Sequence, residues 1–294
     1  MKFGITYHSG YHGVDPDRIA SYARHAEECG FESFYLPEHV ALYPGATLGS
    51  MAIDPSLSIV DPLAGLAFVA AATERIVLGT GILQLPYHHP VTLAKRLATI
   101  DVLSKGRMRL LTIGLGSLPG EAEALGVDFA SRGRRADEAI DVMRVLWAGD
   151  ATGVSFKGDF YAFTNLVSFP KPHNGRALPI HVGGSTRAAA RRAGLRGDGY
   201  FPGGRIGSQE RAIQLELMRQ TARDAGRDAA ALECTRWGSI DMSDDDVEAL
   251  AAAGTTRVVV SATAIDTQAQ REEISAFAER LNLRVQPSSS LFTA

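Results

Sequence analysis

The feature that most constrains the fold of this 294-residue chain is a regular alternation of apolar, strand-like runs with helical segments. We expect eight strands, at 2–7, 33–37, 75–81, 107–114, 178–182, 197–201, 234–240 and 256–261. We expect eight helices, at 16–29, 61–73, 90–103, 132–147, 185–194, 207–225, 243–252 and 267–282. Strands that alternate with helices predict βαβ units and a parallel sheet. The apolar runs IVLGTG and RVVVS are typical of strands that are buried on both faces.

Eight βα units in a chain of this length favour an α/β fold of the (β/α)8 type, a TIM barrel. A doubly wound open sheet is the alternative, but no G-x-G-x-x-G pattern opens the first helix. We therefore predict a single barrel domain over 1–283, followed by a C-terminal tail over 284–294.

Two segments are longer than the connections that such a barrel needs. The segment 38–61 follows the second strand, on the face where the active sites of barrels form, and we expect it to be an active-site loop. The insertion 152–177 lies between units 4 and 5 and contains SFKGDFYAF, which predicts a β-hairpin with a Gly-Asp turn.

Composition and charge argue against several classes of protein. The formal net charge is −3, so we expect no nucleic-acid surface. No segment approaches the roughly 18 consecutive apolar residues of a membrane helix, and MKFGITY predicts a strand rather than a signal peptide. Cys29 and Cys234 lie far apart without metal-ligand spacing, so we expect two buried thiols in a cytoplasmic protein.

A candidate anion site lies in LPIHVGGSTRAAARRAGLRGDGYFP, between a predicted strand and an Arg/Ala-rich helix. The N-terminus of a helix presents unpaired N–H groups, and Gly183 and Gly184 would let a ligand approach the backbone closely. Ser185 could be the N-cap or could donate its hydroxyl to an oxyanion. These features predict a phosphate site, although a tight turn that needs glycine at positive φ would leave the same pattern.

Histidines provide the candidate proton-transfer groups. His39 follows the second strand in YLPEHV, where it could exchange a proton near neutral pH, and Glu38 could orient it or bind a ligand group. At most one more histidine of the strand-end loops is expected to act chemically, among His8, His12, His88 and His89. We expect His25 to be exposed on a helix and His181 to be structural. The sequence contains no H-E-x-x-H pattern, and we expect no metal site.

Glycines also leave the backbone without side chains at two other strand ends. Gly79 and Gly81 interrupt the third strand, which indicates a bulge or a close approach of the backbone. In LTIGLGSLPGE, after the fourth strand, Ser117 could hydrogen-bond a ligand. No base stands beside Ser117 and the pattern is not G-x-S-x-G, so we do not expect a catalytic serine.

Four segments together resemble the bacterial luciferase-like monooxygenase superfamily, and most of all its actinobacterial branch of F420-dependent oxidoreductases. The resemblance rests on the order and spacing of GFESFYLPEHV, DPLAGLAFVAAATERIVLGTGILQLPYHHPVTLAKRLATIDVLSKGRMRL, EALGVDFASRGRRADEAIDVMRVLWAG and PIHVGGSTRAAARRAGLRGDGYFP. It covers nearly the whole chain. It implies a barrel that holds a flavin or deazaflavin at the C-terminal ends of its strands, and a homodimer.

The resemblance also implies roles for particular residues. A group at the fifth strand would bind the cofactor phosphate, namely Gly183, Gly184, Ser185 and Thr186. A non-prolyl cis peptide would join Gly81 to Ile82 behind the deazaflavin ring. Contacts with the ring and the ribityl chain would come from Gln84, Leu115 and Gly116. Glu38 and His39 match an acidic-His pair in which the histidine assists catalysis. Ser117 stands where sugar-phosphate dehydrogenases of this family carry a proton-transferring glutamate, which argues against that activity.

The expected function is hydride transfer between coenzyme F420 and a small organic substrate. An FMN-dependent monooxygenase is the first alternative, and a non-catalytic F420- or flavin-binding protein is the second. A phosphosugar isomerase or aldolase would need a lysine or a paired base at the strand ends, and none of the five lysines lies at the C-terminal end of a predicted strand.

Overall fold

The computed structural model describes residues 1–204 and 206–284, and eight parallel strands form its centre. The strands are β1 Lys2–Thr6, β2 Ser33–Leu36, β3 Val77–Thr80, β4 Met108–Gly114, β5 Ile180–Gly183, β6 Gly199–Phe201, β7 Glu233–Trp237 and β8 Arg257–Ser261. Each strand pairs with the next in sequence, and β8 pairs with β1, so the sheet closes. The predicted TIM barrel is confirmed, and the open doubly wound sheet is wrong.

A helix follows each strand and covers the outside of the barrel. The helices are α1 Pro16–Glu28, α2 Pro62–Ala72, α3 Pro90–Leu103, α4 Arg132–Ala148, α5 Arg187–Arg196, α6 Ser208–Asp224, α7 Asp244–Ala252 and α8 Thr267–Arg280. Shorter helical segments span Ser9–His12, Leu85–Tyr87, Pro119–Ala124 and His173–Gly175. Asp15 and Asp61 cap α1 and α2 by accepting backbone N–H bonds, and each is followed by a proline that has no N–H to lose.

Buried side chains fill the inside of the barrel, and a cluster of paired charges lies at its N-terminal end. The interior cluster consists of Tyr35, Val77, Leu110, Phe201 and Val259. At the N-terminal end the guanidinium of Arg257 donates to Glu32 and Glu233 at 2.8 and 2.6 Å. Arg257 is only 1% exposed, so these two carboxylates supply the partners that its buried charge requires. Enzymes with this barrel form their active sites at the opposite end, where the strands finish.

The third strand carries the irregularity that the glycines predicted. The pairing between β3 and β4 shifts register between Leu78 and Gly79. A Cβ atom at Gly79 would lie 2.6 Å from the ring of Tyr35, so a side chain has no room there. The peptide bond between Gly81 and Ile82 is cis, as the resemblance implied. A short strand, Leu83–Gln84, then pairs with the end of β4 and carries the chain across the active face.

Both predicted insertions have structure of their own. Within 38–61, Thr47–Leu48 and Met51–Ala52 form a short antiparallel pair. Within 152–177, the strands Val154–Lys157 and Ala162–Leu166 form the hairpin. Its connection spans 158–161 and begins with the predicted Gly158 and Asp159. The carboxylate of Glu138 on α4 accepts N–H bonds from three residues of this connection and so stabilises it.

The structure tests three expectations about the exposure of cysteine and histidine side chains. Cys234 is buried, and burial raises the pKa of its thiol to about 11, whereas Cys29 is only half-buried. The expectation that His25 is exposed is wrong. Its side chain is 11% exposed, because α8 packs against α1 and places Ser275 Oγ 3.0 Å from His25 Nε2. His181 is buried inside β5, as predicted.

The predicted tail lies outside the described residues, apart from Arg284. In the part of the chain that the structure describes, no helix is both long enough and apolar enough to cross a membrane.

Candidate active site

The C-terminal ends of β2, β3, β4 and β5 bring most of the predicted site residues together. Gln84, after β3, donates through Nε2 to the main-chain oxygen of Glu38 at 3.4 Å. A Cβ atom at Gly116, after β4, would lie 2.9 Å from Gln84 Oε1. A Cβ atom at Gly183, at the end of β5, would lie 2.9 Å from Ile82 Cγ2. Residues that are distant in sequence thus form one continuous surface.

His39 is paired with a carboxylate that the sequence analysis did not select. Its Nδ1 lies 3.1 Å from Glu121 Oε2, and its side chain is 20% exposed. The other oxygen of Glu121 accepts N–H bonds from Val40 at 2.6 Å and Ala41 at 3.2 Å, and from Gln84 Nε2 at 3.1 Å. One fully buried carboxylate therefore positions both the imidazole and the first residues of the 38–61 segment.

The charge of Glu121 determines the tautomer of His39. Burial alone would raise the pKa of this carboxyl, but the hydrogen bonds from His39, Ala41 and Val40 outweigh burial and bring the pKa below its ordinary value. Glu121 is thus ionised at neutral pH and can only accept. His39 must then donate from Nδ1, and Nε2 is the nitrogen that can take up or give a proton at the site.

Glu121 lies in the short helix Pro119–Ala124, directly after β4. Its signal in the sequence is an acidic residue in a strand-end loop, at the end of the stretch LTIGLGSLPGE. The sequence alone does not show that a residue 82 positions away from His39 contacts it.

Glu38 has a different role from the predicted one. The expectation that it orients His39 is wrong, because its two oxygens contact other groups. Oε1 lies 2.9 Å from His88 Nε2, and Oε2 accepts the backbone N–H of Gln84 at 2.5 Å. The side chain of Glu38 is buried. Gln84 therefore connects two carboxylate–histidine pairs, and a contact between Glu38 and a cofactor stays a prediction.

The turn between β5 and α5 has the geometry of an anion cradle. Gly183 is buried, and a Cβ atom there would also lie 3.0 Å from the carbonyl oxygen of Ile113. Gly184 is exposed and has a φ of +111°, which a residue with a side chain rarely adopts. The turn thus needs glycine at position 184 for its own conformation, and Gly184 is open to solvent just before the N-terminus of a helix.

The N-cap of α5 is Thr186, whose hydroxyl accepts the N–H of Ala189 at 3.1 Å. The suggestion that Ser185 is the N-cap is therefore wrong by one residue, and its half-buried hydroxyl is not used for capping. The carbonyl of Ser185 accepts from Gln214 Nε2 at 3.0 Å, and Gln214 Oε1 in turn accepts from the hydroxyl of buried Tyr200 at 2.7 Å. This chain of bonds holds the cradle in place.

Side chains of the same barrel face pack closely against Gly116 and Gly81. Gly116 has a φ of +76°, and a Cβ atom there would lie 2.2 Å from the hydroxyl of Tyr87. That hydroxyl is buried and has no hydrogen-bond partner among the residues that the structure describes. The indole of Trp237 would lie 3.4 Å from a Cβ atom at Gly81. An unsatisfied buried hydroxyl and an anion cradle on one face of the barrel fit a phosphorylated cofactor whose ring carries hydrogen-bonding atoms.

The remaining predicted residues are more exposed. Leu115 is half-buried and Ser117 is exposed, so the contacts of both with a ligand stay predictions. Among residues 1–204 and 206–284, no group of three or more His, Cys, Asp or Glu side chains is placed to hold a metal ion.

Comparison with known proteins agrees with this architecture. A family model described as luciferase-like monooxygenase matches residues 1–288. An uncharacterized protein of Mycobacterium tuberculosis is 33% identical over 190 residues, which are 62% of this chain and 65% of that protein. The F420-dependent glucose-6-phosphate dehydrogenase of Microbacterium testaceum is 31% identical over 205 residues, which are 68% of this chain and 56% of that enzyme. The chain thus spans less than two thirds of the length of these relatives.

Among solved structures, an F420-dependent secondary alcohol dehydrogenase superposes with a TM-score of 0.79 at 18% identity, over 97% of this chain and 99% of that one. This similarity supports the fold alone. The match of the family model over nearly the whole sequence is the stronger finding. The chain therefore belongs to the luciferase-like monooxygenase family.

Proposed function

We propose that this protein is an oxidoreductase that transfers a hydride between the deazaflavin coenzyme F420 and a small organic substrate. The observation that carries the proposal is the His39–Glu121 pair, which lies on the same face of the barrel as the cradle at Gly183 and Gly184. A proton-transfer group beside a cofactor cradle is what such a reaction requires. The similarity to an F420-dependent dehydrogenase supports the choice of cofactor.

The residues present would hold the cofactor in two places. The backbone of Gly183 and Gly184, the hydroxyls of Ser185 and Thr186 and the N-terminus of α5 would bind its phosphate. Ile82, Gln84 and Gly116 would contact the ring and the ribityl chain. When bound, the deazaflavin supplies a hydride donor or acceptor.

His39 performs the acid–base part of the reaction. In the reducing direction the substrate carbon gains the hydride, and the substrate oxygen gains the proton of His39 Nε2. In the oxidising direction the same nitrogen removes the proton. Glu121 keeps Nδ1 protonated and stabilises the imidazolium that forms when Nε2 is protonated. The 38–61 segment, joined to Glu121 through Val40 and Ala41, excludes water from this step.

An FMN-dependent monooxygenase is the second candidate, because the family description names that activity and the cradle fits either phosphorylated cofactor. The two candidates differ in their need for oxygen. Assembly as a homodimer and a cytoplasmic location stay predictions.

Two parallel assays distinguish these candidates. In the first, the purified protein is mixed anaerobically with reduced F420 and carbonyl acceptors, both neutral ketones and sugar phosphates. In the second, reduced FMN is supplied in air and oxygen uptake is followed. We expect oxidation of F420 by at least one acceptor without oxygen. Substrate-dependent oxygen uptake with FMN, and no reaction of F420, would replace the proposal by the monooxygenase.

A further inference from the structure

A cavity of about 460 Å³ lies between the end of β1, the end of β2 and the inner side of the 38–61 segment. Its volume is in the range of pockets that bind small organic molecules. His39 lies in its wall, so a ligand in the cavity meets the proton-transfer group. Seven apolar residues supply most of the remaining wall: Pro37, Leu48, Met51, Ala52, Ile53, Leu57 and Ile59.

The charged and polar groups of the wall do not favour an anion. No lysine or arginine lines the cavity among the described residues. Its one carboxyl group, Asp54, has a lowered pKa because the hydroxyl and the N–H of Ser56 donate to it, and it stays negative at neutral pH. Burial lowers the pKa of His8, which favours a neutral imidazole. A phosphate dianion would meet repulsion here and no cationic partner.

The imidazoles of His8 and His39 and the hydroxyl of Tyr11 are the polar groups that this largely apolar wall offers to a ligand. His39 uses Nδ1 for Glu121, which leaves Nε2 to meet a substrate oxygen. Ser9 already accepts the N–H of Val60 through its hydroxyl oxygen at 2.9 Å. The cavity thus offers a hydrophobic wall and an acid–base nitrogen on one side of it.

We propose that this cavity binds a neutral, largely apolar substrate with a single carbonyl or hydroxyl group, and that it does not accept sugar phosphates. The inference rests on the proposed function, since it assigns the cavity to the substrate of that reaction. It separates this chain from the glucose-6-phosphate dehydrogenase to which its sequence is similar.

Binding is measured without turnover, so that the result does not depend on the cofactor. Saturation-transfer NMR is recorded with 2-alkanones from 2-butanone to 2-octanone, and with glucose 6-phosphate as the anionic probe. We expect affinity to rise about threefold for each added methylene until the cavity is full, because each CH₂ leaves water for an apolar wall. Glucose 6-phosphate should not bind. A flat alkanone series, or glucose 6-phosphate that binds as tightly as 2-octanone, would overturn the inference.

A pair of variants tests whether the ligand occupies this cavity. Met51 is 58% exposed at the rim, so Met51→Arg can place a charge there with little cost to folding. We expect Met51→Arg to weaken binding of 2-octanone about threefold or more, and Met51→Leu to preserve it. Equal affinities of the two variants would place the ligand elsewhere and reject the assignment. If F420 is not used but alkanones still bind as expected, the proposed function fails and the substrate class does not.

Discussion

Replacing His39 by glutamine is expected to lower turnover with F420 by about 10²–10⁴-fold and to leave the affinity for the cofactor nearly unchanged. Glutamine keeps a group that can donate to Glu121, but it cannot exchange a proton in place of the imidazole Nε2. The affinity should persist because His39 does not belong to the β5–α5 turn. Steady-state kinetics measures the first effect, and a fluorescence titration measures the second.

The matched control is His89→Gln. His89 also lies in a strand-end loop, but it is exposed and its side chain does not cap α3. We expect this variant to keep wild-type turnover. In His39→Gln, the part of the pH–rate profile that reports imidazole protonation should also disappear. Turnover within about threefold of the wild type would contradict the assignment of His39 as the proton-transfer group.

Two replacements of Glu121 are expected to have different effects, one mainly on stability and the other mainly on turnover. In Glu121→Ala four donors lose their acceptor, namely His39 Nδ1, the N–H groups of Val40 and Ala41, and Gln84 Nε2. We expect the free energy of unfolding to fall by about 1–3 kcal/mol, since Val40 and Ala41 are exposed and water can replace their lost acceptor, whereas Gln84 is buried. Urea denaturation measures this change.

Glu121→Gln should retain the bonds to Val40, Ala41 and Gln84 through its amide oxygen. Its NH₂ group would then face His39 Nδ1 and force that nitrogen to accept, which moves the neutral ring to the wrong tautomer. We expect turnover to fall by about 10²–10⁴-fold, with little change in the KM of the substrate. A variant with wild-type turnover would show that Glu121 serves the fold alone.

The same carboxylate gives stability a dependence on pH. Because the folded-state pKa of Glu121 is lowered, its contribution is complete above the ordinary pKa of a glutamate and is lost as the pH falls through the lowered value. Glu121→Gln has no group that titrates there. We therefore expect the variant to lose less stability than the wild type on acidification below that ordinary pKa.

The barrel could be predicted from the sequence because its signals are local. Alternation of strands and helices, continuous apolar runs and glycine at the strand ends are each visible within a few residues. The candidate role of His39 could also be predicted, since the end of a strand in a barrel lies at the active face. The cis peptide between Gly81 and Ile82 and the roles at the β5–α5 turn came from resemblance to a family, which transfers tertiary information that the residues alone do not contain.

The errors occur where distant side chains decide the structure. Glu121 takes the role expected of Glu38, although 82 positions separate it from His39. His25 is mostly buried because α8 covers it. Neither of these contacts leaves a periodic or short-range signal.

The central claim is that the β5–α5 turn binds the phosphate of a deazaflavin, and a titration tests it most directly. Purified protein is titrated separately with oxidised F420 and with FMN, and the fluorescence of Trp237, which lies beside Gly81, reports binding. Ser185→Asp adds a negative charge to the cradle at a helix N-terminus, where it does not disfavour folding, and Ser185→Asn is the neutral control of similar shape. We predict micromolar binding of F420 and weak binding of FMN. Ser185→Asp should lose about tenfold or more in affinity, and Ser185→Asn much less. Binding of neither cofactor, or equal F420 affinity in the two variants, would contradict the account.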